Sequence, residues 1–255
     1  MRLLIHETAY LRTRAAIDAL GTAVEPLVVA DAGTIASGGA PLTADEAQPE
    51  VVWANADAFF SSASRLFMTA ALKARDLKWV QSGAAGFDNA IFGQFVQKGA
   101  RLTTSHGQAV GMADYVLWGV LDVLQGGPAR RAAQARREWT RLPFRELAGS
   151  QWLVIGFGAI GKAVAGRARA FGAELTGVRR SQAADPAADR IAGLGDVPGL
   201  LPQADVVVLS APLSPETRHV ADAAFFGRMK PGAILVNVGR GGLVDEPALL
   251  AALDR

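Results

Sequence analysis

Three glycines, Gly156, Gly158 and Gly161, have the spacing of a turn that could hold a phosphate group. The apolar run 152–155 precedes them, and an alanine-rich helical stretch, 162–171, follows. In such a strand–turn–helix the first glycine makes the tight turn, the second lets a pyrophosphate approach the backbone, and the third lets helix and strand pack closely. The N–H groups of the first helical turn and the helix dipole favour an anion. The spacing therefore predicts a dinucleotide site, with a purely structural turn as the alternative. The candidate cofactor-binding residues of the turn are Gly156, Phe157, Gly158, Ala159, Ile160 and Gly161.

The identity of the dinucleotide is indicated by Arg179, Arg180 and Ser181, which follow the next apolar run. Arg179 stands 18 positions after Gly161, about where an NAD-binding fold carries an acidic residue that hydrogen-bonds the ribose. A carboxylate would repel a 2′-phosphate, whereas guanidinium groups and a hydroxyl bind one. These residues favour NADP as the cofactor and leave NAD possible. The alternative is that both arginines are solvated loop charges.

Composition excludes several other kinds of chemistry. The 255 residues include no cysteine and three histidines, so we expect no disulfide and no metal site. The net charge of +2 is too small to indicate a nucleic-acid partner. Apolar runs fall short of the roughly 18 residues of a membrane span. We therefore expect a cytoplasmic protein that binds neither nucleic acid nor membrane.

Short apolar runs alternate with helical stretches along the chain, which is typical of mostly parallel sheets covered by helices. In the first hundred residues the predicted strands are 2–5, 25–30, 51–54, 79–82 and 101–104, and the predicted helices are 11–20, 61–75 and 90–98. An apolar helix, 112–125, leads to a second block with predicted strands at 152–155, 174–178, 205–210 and 233–238. The pattern predicts an α/β protein with two doubly wound parallel-sheet domains, 1–112 and 113–255.

Three further stretches make the chain resemble the D-isomer-specific 2-hydroxyacid dehydrogenases. They are 82–89 (SGAAGFDN), 204–213 (ADVVVLSAPL) with 216–218 after it, and 229–246 (MKPGAILVNVGRGGLVDE). With the glycine turn they extend from Ser82 to the end of the sequence, whereas the first eighty residues match only in their alternating pattern. The resemblance implies a flavodoxin-like substrate domain and a Rossmann NAD(P)-binding domain. It also implies hydride transfer between a nicotinamide and C2 of a 2-keto or 2-hydroxy acid.

The resemblance assigns the substrate-binding residues. Arg240 is implied to be the catalytic arginine, whose guanidinium fork binds the carboxylate and keto oxygens; the alternative is a plain surface charge. Ala84, Ala85 and Gly86 are implied to present backbone N–H groups to the carboxylate, although a tight turn alone would explain such small residues. Further cofactor contacts are implied at Ala211, Pro212, Thr217, Val238 and Gly239.

The general acid of the reaction has no candidate in this sequence. The family carries a histidine, oriented by a glutamate, after its arginine, and the 255 residues end before either position. His6 ends the first strand, His219 lies in a surface connection, and His106 is expected to be structural or solvated. We favour a C-terminally truncated piece of a normal dehydrogenase, with the last strands of its sheet missing. The alternative is a truncated pseudoenzyme that binds a dinucleotide without turnover.

The expected partners are a small 2-keto acid, such as glyoxylate or hydroxypyruvate, and a second copy of the chain. Family members usually form dimers through the nucleotide domain, and 115–139 is the expected contact. A basic run in this region is interpreted as a solvated helix face or an arm packing on another subunit. Its members are Arg130, Arg131, Arg136, Arg137, Arg141 and Arg145.

Overall fold

The structure is a computed structural model that describes residues 1–20, 24–86 and 88–254. The chain divides into two compact units, Met1–Gly107 and Gln108–Arg255. Each unit has its own β-sheet and its own hydrophobic core.

The described part of the first unit contains a seven-stranded sheet. Its strands are β1 (Arg2–His6), β2 (Glu25–Ala30), β3 (Thr34–Ser37), β4 (Ala40–Leu42), β5 (Val51–Ala54), β6 (Trp79–Ser82) and β7 (Arg101–Thr103). They lie in the order β4-β3-β2-β1-β5-β6-β7. The five strands from β2 to β7 in this order are parallel, and their sequence second–first–third–fourth–fifth is that of flavodoxin-like folds.

Strands β3 and β4 form an antiparallel hairpin on the edge of β2. Gly38 and Gly39 make its two-residue turn with φ of 56° and 87°, a left-handed conformation that favours glycine. Pro41 lies in the outermost strand, opposite Ala36.

Helices cover both faces of the first sheet. They are α1 (Glu7–Asp18), α2 (Ala44–Ala47), α3 (Ala56–Phe60), α4 (Ser64–Lys73) and α5 (Ala90–Gln97). Leu4 on β1 packs in one cluster with Phe67 of α4 and Phe95 of α5. Its neighbour Ile5 packs on the opposite face with Ile17 of α1. Successive side chains of a strand point to opposite faces, so an uninterrupted apolar strand requires a helical layer on each side.

The described part of the second unit contains five parallel strands in the order β10-β9-β8-β11-β12. They are β8 (Gln151–Ile155), β9 (Glu174–Val178), β10 (Arg190–Ala192), β11 (Val206–Leu209) and β12 (Ile234–Asn237). Numbered along the unit, this order is 3-2-1-4-5, which is the order of the first five strands in the Rossmann arrangement.

The helices of the second unit also cover both faces of its sheet. They are α6 (Ala109–Leu124), α7 (Gly127–Ala135), α8 (Ala159–Ala170), α9 (Val197–Leu200), α10 (Ala223–Arg228) and α11 (Glu246–Leu253). Trp152 and Val154 of β8 pack with Val120 of α6 and Val164 of α8. Leu153 of the same strand packs in the cluster on the other face.

The predicted fold class is confirmed, since both sheets are doubly wound and largely parallel. The sequence analysis did not predict the β3–β4 hairpin of the first sheet. It also did not predict strand β10, so the four strands predicted for the second sheet are five. Predicted helix starts were late: α1 begins at Glu7 because His6 caps it, and α6 begins at Ala109. The predicted domain boundary at 112/113 lies within α6. The predicted helix 61–75 begins at Ser64, after the separate α3.

Part of the basic run is paired within the chain. Arg131 makes a two-pronged ion pair with Asp122, with Nη2 to Oδ2 at 2.9 Å, and Arg145 Nη1 donates to the Gly232 carbonyl at 3.2 Å. These contacts hold α7 and the segment after it against the rest of the second unit. In the described ranges, none of the helices combines the length and the apolar character needed to cross a bilayer.

We predict that Gly177→Ala destabilises the protein by about 1–3 kcal/mol because the site has no room for a methyl group. A Cβ at Gly177 would lie 2.5 Å from Cγ of Phe157, which is buried beneath it. Urea unfolding followed by far-UV circular dichroism measures the change. The matched control is Gly166→Ala on α8, which meets open space and should gain about 0.5–1 kcal/mol. Equal stability of Gly177→Ala and wild type would contradict this account of the packing.

Candidate functional site

The candidate site lies at the carboxyl edge of β8, β11 and β12, where three loops meet around Ala211. Gly156 follows β8 with φ of 97°, and a Cβ there would stand 2.5 Å from Cα of Ala211. A Cβ at Gly239, after β12, would stand 2.8 Å from the Ala211 carbonyl oxygen. Ala211 is itself buried. Two of the loops therefore approach the third at distances that exclude a side chain.

The three glycines of the turn have different surroundings. A Cβ at Gly161 would lie 2.6 Å from the Gly156 carbonyl oxygen, so this glycine lets α8 pack against the turn. Gly158 is exposed, and a Cβ there would meet nothing within 4 Å. The protein itself therefore requires glycine at 156 and 161, whereas position 158 is bordered by open space. Such space beside bare backbone is what a pyrophosphate needs.

The first turn of α8 supplies the anion-binding groups. Gly158 is the N-cap residue, and no side chain of the described residues caps this helix. The Gly158 N–H donates to the Gly156 carbonyl at 2.8 Å. The next two N–H groups, of Ala159 and Ile160, belong to the first turn of a twelve-residue helix, where backbone donors have no partner within the helix. Uncapped N–H groups and the helix dipole bind phosphate. The residues present therefore fit a dinucleotide.

Phe157, predicted to bind the cofactor, has a different position. Its side chain is 2% exposed and packs on Gly177, and its N–H donates to the Val178 carbonyl at 3.0 Å. The ring therefore supports the turn from below, inside the core. The motif position alone does not separate residues that line the turn from residues that hold it in place.

Arg179 was expected to bind a 2′-phosphate through its guanidinium group. In the structure this group is hydrogen-bonded to the loop that follows β9. Nε donates to the Ser181 carbonyl at 2.8 Å, Nη2 to the Ala183 carbonyl at 2.7 Å, and Nη1 to Oδ2 of Asp185 at 2.9 Å. The same carboxylate oxygen lies 2.7 Å from Nζ of Lys162 on α8. Arg179 thus fixes the loop that carries Ser181.

Asp185 is buried between these two cations. The hydrogen bond from Lys162, with the Ala187 N–H and the charge of Arg179, holds the pKa of the Asp185 carboxyl below its ordinary value. The carboxylate is consequently ionised at neutral pH. Lys162, Arg179 and Asp185 together keep a net charge of one positive unit beside the turn.

Arg180 and Ser181 are the accessible members of the predicted cofactor-specificity group. The Arg180 side chain is 91% exposed, and its nearest acidic partner is Glu216, with Nη2 3.8 Å from Oε2. An exposed pair at this distance contributes little and is easily exchanged for another anion. Ser181 is exposed beside it.

The loop after β11 is held by hydroxyl groups. Thr217 Oγ1 donates to the Pro212 carbonyl at 2.7 Å and accepts the Ser214 N–H at 2.8 Å. Ser210 Oγ donates to the Gly156 carbonyl at 2.9 Å and so ties this loop to the glycine turn. Sequence reasoning assigned Thr217 to the cofactor and missed Ser210, although its place directly after an apolar strand marked it as a site residue.

Arg240 lies on the loop after β12, at the edge where open α/β sheets bind ligands. Asn237 shapes this loop: its Oδ1 accepts the Gly239 N–H at 3.0 Å, and its Nδ2 donates to the Arg240 carbonyl at 2.9 Å. Arg240 Nη1 donates to the Gly239 carbonyl at 2.9 Å, and its side chain is half-buried. Sequence reasoning missed the role of Asn237. Val238, a predicted cofactor contact, donates its N–H to the Leu209 carbonyl at 2.9 Å.

The predicted substrate loop of the first unit follows β6. The Ala84 N–H donates to Oγ of buried Ser82 at 3.1 Å, so this N–H serves the turn, whereas Ala85 and Gly86 are half-buried at its tip. The Ala84 carbonyl accepts the Ser105 N–H at 3.1 Å. Phe87 of the same motif lies outside the described residues.

The three histidines differ in their surroundings. His6 is buried, whereas His106 and His219 are exposed. His219 has φ of 51°, and its N–H donates to the Gly242 carbonyl at 2.9 Å. These positions agree with the expectation that His219 lies in a surface connection and His6 ends β1.

The Rossmann strand order, the uncapped glycine turn and the arginine loop define a dinucleotide-binding protein of the doubly wound α/β class. The family model described as D-isomer specific 2-hydroxyacid dehydrogenase, NAD binding domain, matches residues 117–255. The chain belongs to this family, as its motifs indicated.

Two curated relatives illustrate the similarity. The chain is 34% identical over 188 residues to a D-3-phosphoglycerate dehydrogenase of Methanocaldococcus jannaschii, covering 71% of this chain and 35% of the relative. It is 33% identical over 187 residues to a glycerate dehydrogenase of Methylorubrum extorquens, covering 70% of this chain and 57% of the relative. The matched part is thus well under two thirds of each relative's length.

A solved structure extends the similarity over the whole chain. A D-isomer specific 2-hydroxyacid dehydrogenase family protein from Aeromonas salmonicida superposes with a TM-score of 0.78 at 27% identity, covering 99% of this chain and 77% of that one. The first unit, which lies entirely outside the range that the family model matches, is therefore included in this likeness.

We predict that Gly158→Ala weakens dinucleotide binding about tenfold or more while leaving stability nearly unchanged, because the added methyl would occupy the open space beside the helix terminus. Fluorescence titration with reduced dinucleotides and thermal unfolding measure the two effects. Gly156→Ala is the contrasting variant: it should lower stability first, since its methyl would overlap the Ala211 backbone. Unchanged affinity in Gly158→Ala would contradict the assignment of the turn to the pyrophosphate.

Proposed function

We propose that this chain comprises a substrate domain and a dinucleotide-binding domain of an oxidoreductase that interconverts a small 2-keto acid and its 2-hydroxy acid with NADP(H). The observation that carries the proposal is the meeting of the uncapped glycine turn and the Arg240 loop at Ala211. An anion-binding helix terminus and a guanidinium at adjacent strand ends suit a phosphorylated cofactor beside a carboxylate substrate. The substrate domain is assigned to 1–112 and the cofactor domain to 113–255.

The cofactor would be held by the N–H groups of Ala159 and Ile160 at its pyrophosphate, beside Gly158. When bound, a nicotinamide dinucleotide supplies or accepts the hydride at C2 of the substrate. Phe157 and Ser210 act indirectly, by holding the turn from the core and from the next loop.

The preference for NADP over NAD is supported by the charges after β9. Arg180 and Ser181 are exposed there, and the cluster of Lys162, Arg179 and Asp185 keeps a net positive charge beside them. A 2′-phosphate gains from these groups, whereas a ribose diol would find no acidic acceptor among Arg179, Arg180 and Ser181. Arg179 contributes mainly by fixing the loop.

In the proposed reaction Arg240 binds the carboxylate and polarises the keto oxygen. Glyoxylate and hydroxypyruvate are the favoured substrates because they are small. Hydroxypyruvate is also the 2-keto acid that corresponds to glycerate, the compound for which one relative is named. No general acid is assigned among the described residues.

The proposed partner is a second copy of the chain, bound through α6 and the segment after it. Tyr115, Trp118 and Trp139 are 62%, 61% and 102% exposed, and the first two rings lie 5.7 Å apart. Large aromatic side chains of this kind are enriched at protein interfaces.

The proposed activity is tested by following oxidation of NADPH in the presence of glyoxylate or hydroxypyruvate. Arg240→Lys keeps the charge but loses the two-pronged geometry, so we expect kcat/KM to fall about 10²-fold or more. Arg228→Lys on the exposed end of α10 is the control. If wild type binds NADPH and shows no turnover, the alternative, a dinucleotide-binding pseudoenzyme, is favoured. If wild type shows turnover and Arg240→Lys is as active as wild type, the role assigned to Arg240 is wrong.

The cofactor preference is tested with Arg180→Ala. We expect NADPH affinity to fall about tenfold and NADH affinity to change little, because only NADPH carries the 2′-phosphate that this side chain would bind. Arg228→Ala controls for the loss of a surface charge. Tighter binding of NADH than NADPH by wild type, or equal losses for both cofactors, would overturn the preference.

A further inference from the structure

The first unit contains a second cleft, of about 560 Å³, at the carboxyl edge of β2, β1 and β5. Its lining residues are His6, Thr8, Asp31, Ala56, Asp57, Phe60, Ser61 and Ser62. In the strand order of this sheet, β1 and β5 are the neighbours at which the connections change direction. Ligands of open α/β sheets bind outside such a switch point.

Two polar atoms at this cleft, Nε2 of His6 and Oγ of Ser61, are buried and have no hydrogen-bond partner among the described residues. In that part of the chain, only one other side-chain atom, Nε of Arg2, is both buried and without a hydrogen-bond partner. His6 is 1% exposed. Its Nδ1 accepts the Thr8 N–H at 3.3 Å, so the proton of the neutral ring is on Nε2. Nε2 faces Oδ1 of Asp31 at 3.4 Å, outside hydrogen-bond geometry. A buried donor left unpaired is costly, and a ligand that pairs it gains accordingly.

The other groups of the cleft accept hydrogen bonds. The carboxylates of Asp31 and Asp57 line it, and both are only partly used: Ser62 Oγ lies 3.3 Å from Oδ1 of Asp31, and Asn55 Nδ2 donates to Oδ2 of Asp57 at 2.8 Å. The described residues that line the cleft include no lysine or arginine. The described residues contain no group of three or more metal-binding side chains placed for an ion. The complementary ligand therefore both donates and accepts hydrogen bonds and carries no negative charge.

An uncharged hydroxyl group can both donate and accept a hydrogen bond. Two neighbouring hydroxyls can do so at two positions of the cleft. Carboxylates bind the ribose diol in the same way in dinucleotide folds. Phe60 lies at the rim with 89% of its surface exposed, which provides a flat apolar face for a ring. We propose that this cleft binds an uncharged, ring-borne vicinal diol, with its hydroxyls on His6, Ser61 and the two carboxylates and its ring against Phe60. The diol belongs either to a nucleoside or to a free sugar.

Calorimetric titration of the full chain with adenosine, D-ribose and adenosine 5′-monophosphate tests the proposal. We expect binding of at least one of the uncharged ligands, and weaker binding of the monophosphate than of adenosine because Asp31 and Asp57 repel its phosphate. Adenosine binding that Phe60→Ala weakens and Phe171→Ala does not would identify a nucleoside site. Ribose binding of equal or greater strength would identify a sugar site. The titrations are made with saturating NADPH, so that adenosine does not enter the glycine turn.

Ser61→Ala is the decisive variant because the Oγ of Ser61 has no hydrogen-bond partner among the described residues. Its thermal stability should equal or exceed that of wild type, whereas affinity for the uncharged ligand should fall about tenfold, as for one lost hydrogen bond. Ser64→Ala, outside the cleft, is the matched control. The proposal is overturned if neither ligand binds at about 10 mM, which would nearly saturate a ~1 mM site. It is equally overturned if Ser61→Ala binds like wild type, or if the monophosphate binds more tightly than adenosine.

Discussion

The second unit depends on one close approach between backbones, that of Gly156 to Ala211. A side chain at 156 would overlap Cα of Ala211, and Ser210 locks the pair through the Gly156 carbonyl. Gly239, which follows the next strand, also approaches the backbone of Ala211 closely. Because three loops share this contact, the helix terminus proposed to bind the cofactor and the arginine proposed to bind the substrate have one common support. Altering it would displace both functions together.

The part of this arrangement that could be predicted from sequence is the part encoded locally. Glycine spacing, a preceding apolar strand and a following helix identified the turn, and the Gly239-Arg240-Gly241 motif identified the arginine loop. Most strands were found because buried parallel strands are continuous apolar runs. Strand β10 was missed because its three residues, which follow a polar loop, are too few to show the hydrophobic pattern of a strand. The hairpin was missed although Gly38-Gly39 is a recognised turn signal.

The features of the site that the sequence did not reveal are tertiary contacts. Arg179 stands at the position expected for a cofactor-binding cation, but its hydrogen bonds go to Ser181, Ala183 and Asp185. Nothing local to residue 179 reveals that Asp185 folds back or that Lys162 reaches the same carboxylate. Phe157 likewise stands at a motif position predicted to contact the cofactor, and its side chain lies in the core. The residue type was readable from sequence, whereas its partner was not.

The hairpin at the border of the first sheet has a consequence for how the protein behaves in concentrated solution. An open parallel sheet exposes unpaired backbone groups at its border, and these invite another chain to continue it. Here the border strand β4 has three residues, one of which is Pro41, and a proline has no N–H to offer. A neighbouring chain would find a short and interrupted template. On this side, the fold itself opposes growth of the sheet into fibrous aggregates.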